Sequence, residues 1–417
     1  DEQQLKALKE LNKESTLAVT GTVRENLVGV RVLRAFCREE EQIRTFDSRS
    51  GKLLGLQINA GKLSALMNPL TLIIINVAVI ILLQSGAIRV NSGSLTQGQV
   101  VALYNLMAQI LVELIKMANL FITITKSLAC ADRVAAVMQL DSGAHGGNKL
   151  PANGSPCGSV EFKNVSFEYK NAGAEALFDI SFFAKPGQTV GIIGGTGSGK
   201  STLVNLVPNF YSATKGQVLI DGVNADEYDR AALLSAVSVV PQKAVLFEGT
   251  IRSNLLMGNP NASEAELFSA LETAQAAEIV RTKPNGIDEP VLRGGSNFSG
   301  GQKQRLSIAR ALVHGGRILI LDDSASALDF ATDAKLRAAI RKLSPAPTTF
   351  IVSQRAASVM FADFIIVLDE GRAVGQGTHE ELLRNCAVYR EIYASQFPDE
   401  AAKLSIPNNT PEGDAAK

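Results

Sequence analysis

From Leu63 to Leu83 the chain reads LSALMNPLTLIIINVAVIILL, without a single charged residue. A helix of about 20 residues, rising 1.5 Å per residue, spans a hydrocarbon core of roughly 30 Å. An uncharged run of this length fits a bilayer better than the core of a soluble domain, so this stretch is expected to cross a membrane. A second stretch, Val100 to Ile124, is less apolar, and its exceptions are ordered. Asn105, Gln109, Glu113, Lys116, Asn119 and Thr123 project onto one arc of about 120° on a helix, and most of the remaining circumference is aliphatic. The aliphatic side suits lipid. The polar stripe would face protein or a water-filled path, or would serve only to join helices. Glu113 and Lys116, three residues apart, can partly neutralise each other.

Basic residues set the orientation. The connector 84–99 carries only Arg89, whereas Lys52 and Lys62 precede the first span and Lys126 and Arg133 follow the second. The positive-inside bias therefore puts both outer flanks in the cytosol, in a multi-pass protein of the cell membrane. The opening DEQQLKALKELNKES is charged and helical in character rather than a signal peptide, and the missing initiator Met implies a fragment or a processed chain. Residues 1–60 read as a long, charged, amphipathic helical extension, interrupted near LVGVRVLRAF. Residues 61–137 hold the two spans and their cytosolic continuation. Residues 138–158, which include DSGAHGGNKLPANGSPCG, read as a linker, and the tail 401–417 as disordered.

Composition excludes several alternatives. With 41 basic and 41 acidic residues the net charge is zero, which gives no electrostatic basis for a nucleic-acid partner. The four cysteines, Cys37, Cys130, Cys157 and Cys386, are widely spaced. They fit reduced thiols and neither a disulfide framework nor a zinc site. The three histidines, His145, His314 and His379, form no ligand pair.

From about residue 159 to 400 the pattern changes to short β-branched runs alternating with helical stretches, the signature of an α/β domain. TVGIIGGTGSGKST (189–202) reads as a strand, a glycine-rich loop and a helix start, and it satisfies GxxxxGK[ST]. In that pattern backbone N–H groups from Gly194, Gly195, Thr196, Gly197, Ser198 and Gly199 curl around phosphates. Lys200 supplies a cation to the β and γ oxygens, Ser201 ligates Mg²⁺, and Thr202 begins the helix. ILILDDSASALD (318–329) ends an apolar strand in two acids. The first, Asp322, is placed to hold Mg²⁺ directly or through water.

Five further stretches carry a family resemblance. SNFSGGQKQRLSIARAL (296–312) resembles the ABC signature, with Ser299, Gly300, Gly301 and Gln302 at a helix start. VVPQ ends in Gln242 and matches the Q-loop. SALD matches the D-loop and ends in Asp329, and EPVLRGG (289–295) lies where exporters carry an X-loop. Tyr169 in SFEYKN sits where the family stacks an aromatic ring on adenine, although a core aromatic is an equal alternative there. In the membrane half, ENLVGVRVLRAF (25–36) resembles the second coupling region of ABC exporters, and the two spans correspond to the fifth and sixth transmembrane helices. The resemblance implies a helical membrane bundle followed by an ABC-type P-loop domain, with a RecA-like core, an antiparallel β subdomain and an inserted helical subdomain. It further implies ATP and Mg²⁺ as ligands, with Gln242 near both the metal and the water. The four preceding transmembrane helices of such an exporter are missing from the chain.

Two positions depart from the family pattern. The acid that polarises the attacking water is usually Glu; here it is Asp323, shorter by one methylene. The switch residue that contacts the γ-phosphate is usually His; here it is Gln354, whose amide cannot carry a proton near neutral pH. The combination resembles the degenerate half of a heterodimeric bacterial multidrug exporter: its own site holds ATP and cleaves it slowly, while its signature serves the partner's site. The expected partners are a second half-transporter, the bilayer, and a transported small molecule or lipid. The rivals are an active homodimeric exporter of lipid, peptide or drug, and a nucleotide-gated regulatory subunit that moves nothing.

Overall fold

A computed structural model of the chain describes residues 2–139, 147–151, 157–170, 173–324 and 326–399. The expected tail 401–417 and much of the expected linker, including His145, lie outside them. The chain divides at residue 140 into a helical unit and an α/β unit.

The helical unit contains α1 (Glu2–Ala35), α2 (Glu39–Asn91) and α3 (Gln97–Met138). The interruption expected near LVGVRVLRAF falls at the end of that stretch. α1 runs through Ala35, because nothing in LVGVRVLRA breaks a helix, and the chain turns at Cys37 with φ 51°. α1 and α2 are pinned by Arg49 Nη1 donating to the buried Thr22 hydroxyl at 2.6 Å. A Cβ at Gly86 would lie 2.8 Å from Val100 Cγ1, so glycine is what allows α2 and α3 to approach there. α3 starts with a capping box between Thr96 and Gln99. The windows Pro69–Asn91 and Gln97–Met117 are long and apolar enough to cross a bilayer. Their side chains point outward: Ile73, Ile74 and Ile80 are 60–62 % exposed. That much contiguous apolar surface suits lipid rather than water. On the polar stripe, Lys116 Nζ donates to Glu113 Oε1 at 2.7 Å.

The α/β unit is organised around a sheet of six strands. β1 (Val160–Glu168), β2 (Glu175–Ala184), β4 (Lys215–Ile220) and β5 (Val223–Asn224) make an antiparallel sheet in the order β2-β1-β4-β5. β3 (Thr189–Gly194), β6 (Val237–Val240), β9 (Ile318–Asp322), β10 (Thr348–Ser353), β11 (Phe364–Asp369) and β12 (Arg372–Gly377) form the central sheet in the order β12-β11-β3-β10-β9-β6. All its neighbours are parallel except β11 and β12. β3, β9 and β10 are buried along their whole length, and they read as largely apolar runs without polar alternation, as strands covered on both faces do. Short β7 (Gly249–Thr250) and β8 (Pro290–Val291) pair beside the helical insertion. There helices Ile251–Leu256, Glu264–Thr273 and Gly300–His314 pack through Leu255, Leu267, Leu271 and Leu306. Core sheet, antiparallel sheet and inserted helices together match the expected architecture. Parallel register brings Ser353 beside Ile193 and Val352 beside Asp322, so Gly194, Asp322 and Ser353 end on one edge. Ligands in open α/β sheets sit at that carboxyl edge. Part of the expected linker is docked on this unit: Lys149 N–H donates to the carbonyl of Glu227, and Lys149 Nζ bonds Glu227 Oε2 at 2.8 Å.

Candidate nucleotide site

The loop between β3 and helix Lys200–Asn205 wraps around the lysine. Lys200 Nζ donates to the carbonyl of Gly194 at 2.9 Å and to that of Gly195, with Ser198 Oγ at 3.4 Å. Two glycines are dictated by space. A Cβ at Gly194 would lie 2.1 Å from the carbonyl oxygen of Leu368. Gly199, at φ +93°, would push one to 2.8 Å from Leu177 Cδ2 and 2.9 Å from the Ala176 carbonyl oxygen. Lys200 is 8 % exposed, and that burial holds its pKa below the ordinary lysine value against the opposing pull of Asp323 and Asp322.

Ser201 and Asp322 meet across the sheet: Ser201 Oγ donates to Asp322 Oδ1 at 2.9 Å. Burial raises the pKa of Asp322; the Ser201 hydrogen bond opposes it, Asp323 adds to it, and Lys200 opposes it. Hydroxyl and carboxylate oxygens so close together fit a hard cation such as Mg²⁺. Among the described residues no group of three or more His, Cys, Asp or Glu could hold a metal. A Mg²⁺ ion at Ser201 and Asp322 would be bound by one or two protein groups and completed by phosphate oxygens and water, its usual arrangement.

The second acid stands just beyond the strand. Asp323 adopts φ 44°, its N–H donates to the carbonyl of Val352 at 3.0 Å, and its Oδ2 accepts from Gln242 Nε2 at 3.4 Å. Gln354 follows β10; its side chain is exposed, and its carbonyl accepts from Gln396 Nε2. Asp322, Asp323, Gln242 and Gln354 line one cleft of about 360 Å³ together with Thr196, Gly197, Gly199, Lys200, Ser201 and Thr202.

Tyr169 closes the far side of this cleft, half-buried, with its hydroxyl 3.0 Å from Thr202 Oγ1 and its ring edge-on to Phe167 and Tyr211. The ring thus packs in an aromatic cluster and also lines the cleft. Sequence reasoning missed Glu175, Ala176, Val352, Glu370 and Gly371, which share the wall. The turn at Glu370–Gly371 carries no phosphate signal. Only the pairing of β11 with β3, and a hydrogen bond from Phe178 N–H to the carbonyl of Gly371, bring it there.

The signature residues do not line this cleft. Ser299 caps helix Gly300–His314: its Oγ accepts from Gln302 N–H, and Gln302 Oε1 accepts from Ser299 N–H at 3.0 Å. A Cβ at Gly301 would lie 3.0 Å from the carbonyl oxygen of Ala327, while Gly300 faces open space. Asp329 caps helix Phe330–Arg341 by accepting from Thr332 N–H at 2.9 Å. A helix N-terminus is suited to an anion.

Residues 177–326 match the family described as ABC transporter, and residues 3–114 match the ABC transporter transmembrane region. Among similar proteins, an uncharacterised ABC transporter ATP-binding protein of Mycobacterium bovis is 40 % identical over 383 residues, covering 91 % of this chain and 65 % of the relative. A putative multidrug export ATP-binding/permease protein of Bacillus subtilis is 34 % identical, over 93 % of this chain and 68 % of the relative. An ATP-dependent lipid A-core flippase of Bordetella pertussis is 35 % identical, over 94 % and 64 %. A solved bacterial Atm1-family ABC exporter with ATP bound superposes with a TM-score of 0.85 at 29 % identity, covering 94 % of this chain and 68 % of that one. The chain spans just under two thirds of the length of the mycobacterial relative.

Proposed function

Since the chain belongs to the ABC transporter family and fuses a transmembrane region to an ATP-binding domain as exporters do, we propose that it is the ATP-binding and permease subunit of a membrane exporter. In this reading ATP and Mg²⁺ bind in the cytoplasmic cleft and their turnover drives a substrate outward. The observation that carries it is the Ser201–Asp322 pair at 2.9 Å beneath a loop organised by Lys200. Lys200 is placed to exchange its carbonyl partners for phosphate oxygens. Ser201 and Asp322 would hold Mg²⁺, which neutralises charge on the phosphates. Asp323 orients water, with Gln242 only loosely in contact at 3.4 Å, and Gln354 faces the terminal phosphate. Tyr169 offers its ring to the base. Ser299, Gly300, Gly301, Gln302 and Asp329 act on the site of a second subunit.

The finer reading is that this subunit is the degenerate half of a heterodimer. Groups that grip a triphosphate are all present, whereas the two that would activate water, Asp323 and Gln354, are a short acid and an amide without a titratable proton. A drug-like or lipid-like substrate is the class we favour, and what supports it is that one relative is named for multidrug export and another for lipid A-core flipping. The test is to purify the full-length protein alone and with whatever protein accompanies it. Little ATP turnover alone and restored turnover with a partner are expected; ordinary exporter rates from the self-paired protein would favour the homodimer. That second reading draws on Asp323, still an acid within 3.4 Å of Gln242. Substituting Glu113 or Lys116 in the assembled protein separates transport from regulation: an exporter changes its transport while ATP binding persists, and a regulatory subunit shows no transport to change.

A further inference from the structure

Arg355 follows Gln354 in the chain but does not line the cleft. Its Nη1 donates to the carbonyl of Leu328 at 3.4 Å and its Nη2 to that of Ser326 at 3.3 Å. The same guanidinium lies 5.3 Å from the centroid of the Phe330 ring. Its backbone N–H donates to Ser353 Oγ at 3.0 Å, which fixes where the side chain departs from the end of β10. The segment it grips is the turn that leaves Asp323. Ser326 N–H and Oγ both bond the carbonyl of Asp323, at 3.2 and 2.8 Å. Asp323 N–H in turn bonds Val352, two residues before Gln354. One guanidinium therefore ties the strand end carrying Gln354 to the turn carrying Asp323.

This tie matters because Asp323 sits at φ 44°, a left-handed backbone that a non-glycine residue holds only when its surroundings over-determine it. We propose that Arg355 is a positioning residue for cleavage of the bound triphosphate, bracing Asp323 and Gln354 in one fixed relation through the carbonyls of Ser326 and Leu328. The inference rests on the reading of the cleft as an ATP site. Arginine is specific to the task, because its planar fork donates in two directions while its face covers an aromatic ring. A lysine at 355 keeps the charge and most of the packing volume, yet it cannot span both carbonyls and stack at once.

The experiment compares Arg355→Lys and Arg355→Ala with the unaltered full-length protein, measuring equilibrium affinity for ATP and the rate constant for cleavage of bound ATP in a single turnover. Affinity is expected to stay unchanged, because Lys200, Ser201 and the glycine loop do not touch Arg355. Cleavage is expected to fall about tenfold in Arg355→Lys, since a displacement approaching 1 Å costs up to about a hundredfold, and to fall further in Arg355→Ala. Arg355→Lys should also keep the unfolding midpoint, which separates positioning from folding and covers the case in which Arg355→Ala does not fold. Unchanged cleavage in Arg355→Lys, or affinity and cleavage lost in parallel, overturns the inference alone. Failure of the unaltered protein to bind ATP overturns the site reading and this inference with it.

Discussion

Replacing Asp323 by Glu and Gln354 by His should raise cleavage of ATP at this site. The structure sets the size of the effect. Asp323 Oδ2 stands 3.4 Å from Gln242 Nε2, a long contact that leaves the carboxylate poorly anchored. An added methylene carries the carboxylate about 1.5 Å further into the cleft. A misplacement of about 1 Å is worth on the order of a hundredfold in rate, or about 2.7 kcal/mol of barrier. One effect opposes the gain. At φ 44° the backbone suits Asp better than Glu, because the shorter polar side chain can bond locally, and the strain amounts to roughly 1 kcal/mol. Even if all of that strain entered the barrier, about 1.7 kcal/mol of gain remains, or roughly 20-fold. Gln354→His adds a group able to hold a proton beside the terminal phosphate, so the double variant should exceed Asp323→Glu alone. Single-turnover cleavage of radiolabelled ATP by the full-length protein measures this, with nucleotide affinity followed separately. Cleavage that stays flat in both variants while ATP still binds would refute the account of the site as gripping but poorly activating.

Lys200→Ala should weaken triphosphate binding by about 3 kcal/mol, near a hundredfold, because it removes charge-assisted bonds to phosphate from a mostly buried site; titration with a fluorescent ATP analogue checks it. Mg²⁺ should loosen on acidification earlier than an ordinary aspartate predicts. Burial raises the Asp322 pKa, so the carboxyl takes up its proton, and loses metal, starting from a higher pH. The half-saturating Mg²⁺ concentration for ATP binding should therefore climb as pH falls toward the ordinary carboxylate range, and Asp322→Asn should remove that dependence. Gly199→Ala combines a left-handed backbone with a Cβ under 3.0 Å from Leu177 and the Ala176 carbonyl. It should cost about 2 kcal/mol or more of stability, read by denaturant unfolding of the α/β unit's fluorescence or circular dichroism.

Much of the site is legible in the sequence because phosphate and metal chemistry narrow the permitted residues. A loop that cradles phosphate needs glycines where backbone must come close, and Gly194 and Gly199 sit where any Cβ collides. An acid closing an aliphatic strand stands out against its neighbours, and Asp322 does meet Ser201 across 121 residues of chain. What escapes the sequence depends on tertiary pairing. Glu370 and Gly371 reach the cleft only because β11 lies beside β3, and nothing local distinguishes that turn from any other. The same holds for Arg355, whose partners are carbonyl oxygens and so leave no mark in residue type. In the membrane half, composition marks the apolar windows, but the helix boundaries escape it. α2 runs 53 residues from Glu39 to Asn91 through Gly51, Gly55, Gly61 and Pro69. Each glycine costs about 1 kcal/mol of helix propensity, too little to end a helix supported elsewhere.

Binding and cleavage are separable in this architecture for a physical reason. The groups proposed to grip a triphosphate are part of the fold: Lys200 is wrapped by its own loop, and Asp322 is the last residue of a buried strand in register with β10. Changing them disturbs packing as well as chemistry. Asp323 and Gln354 lie one step past the strand ends, held mainly through their backbones, with side chains that fill no core space. Their identity can change without penalty to the sheet. On the proposed reading, a chain of this kind can therefore lose much of its power to activate water while keeping its nucleotide, its signature helix and its shape. An asymmetric pair needs one such member, which closes on ATP and leaves the fast chemistry to the site it completes on its partner.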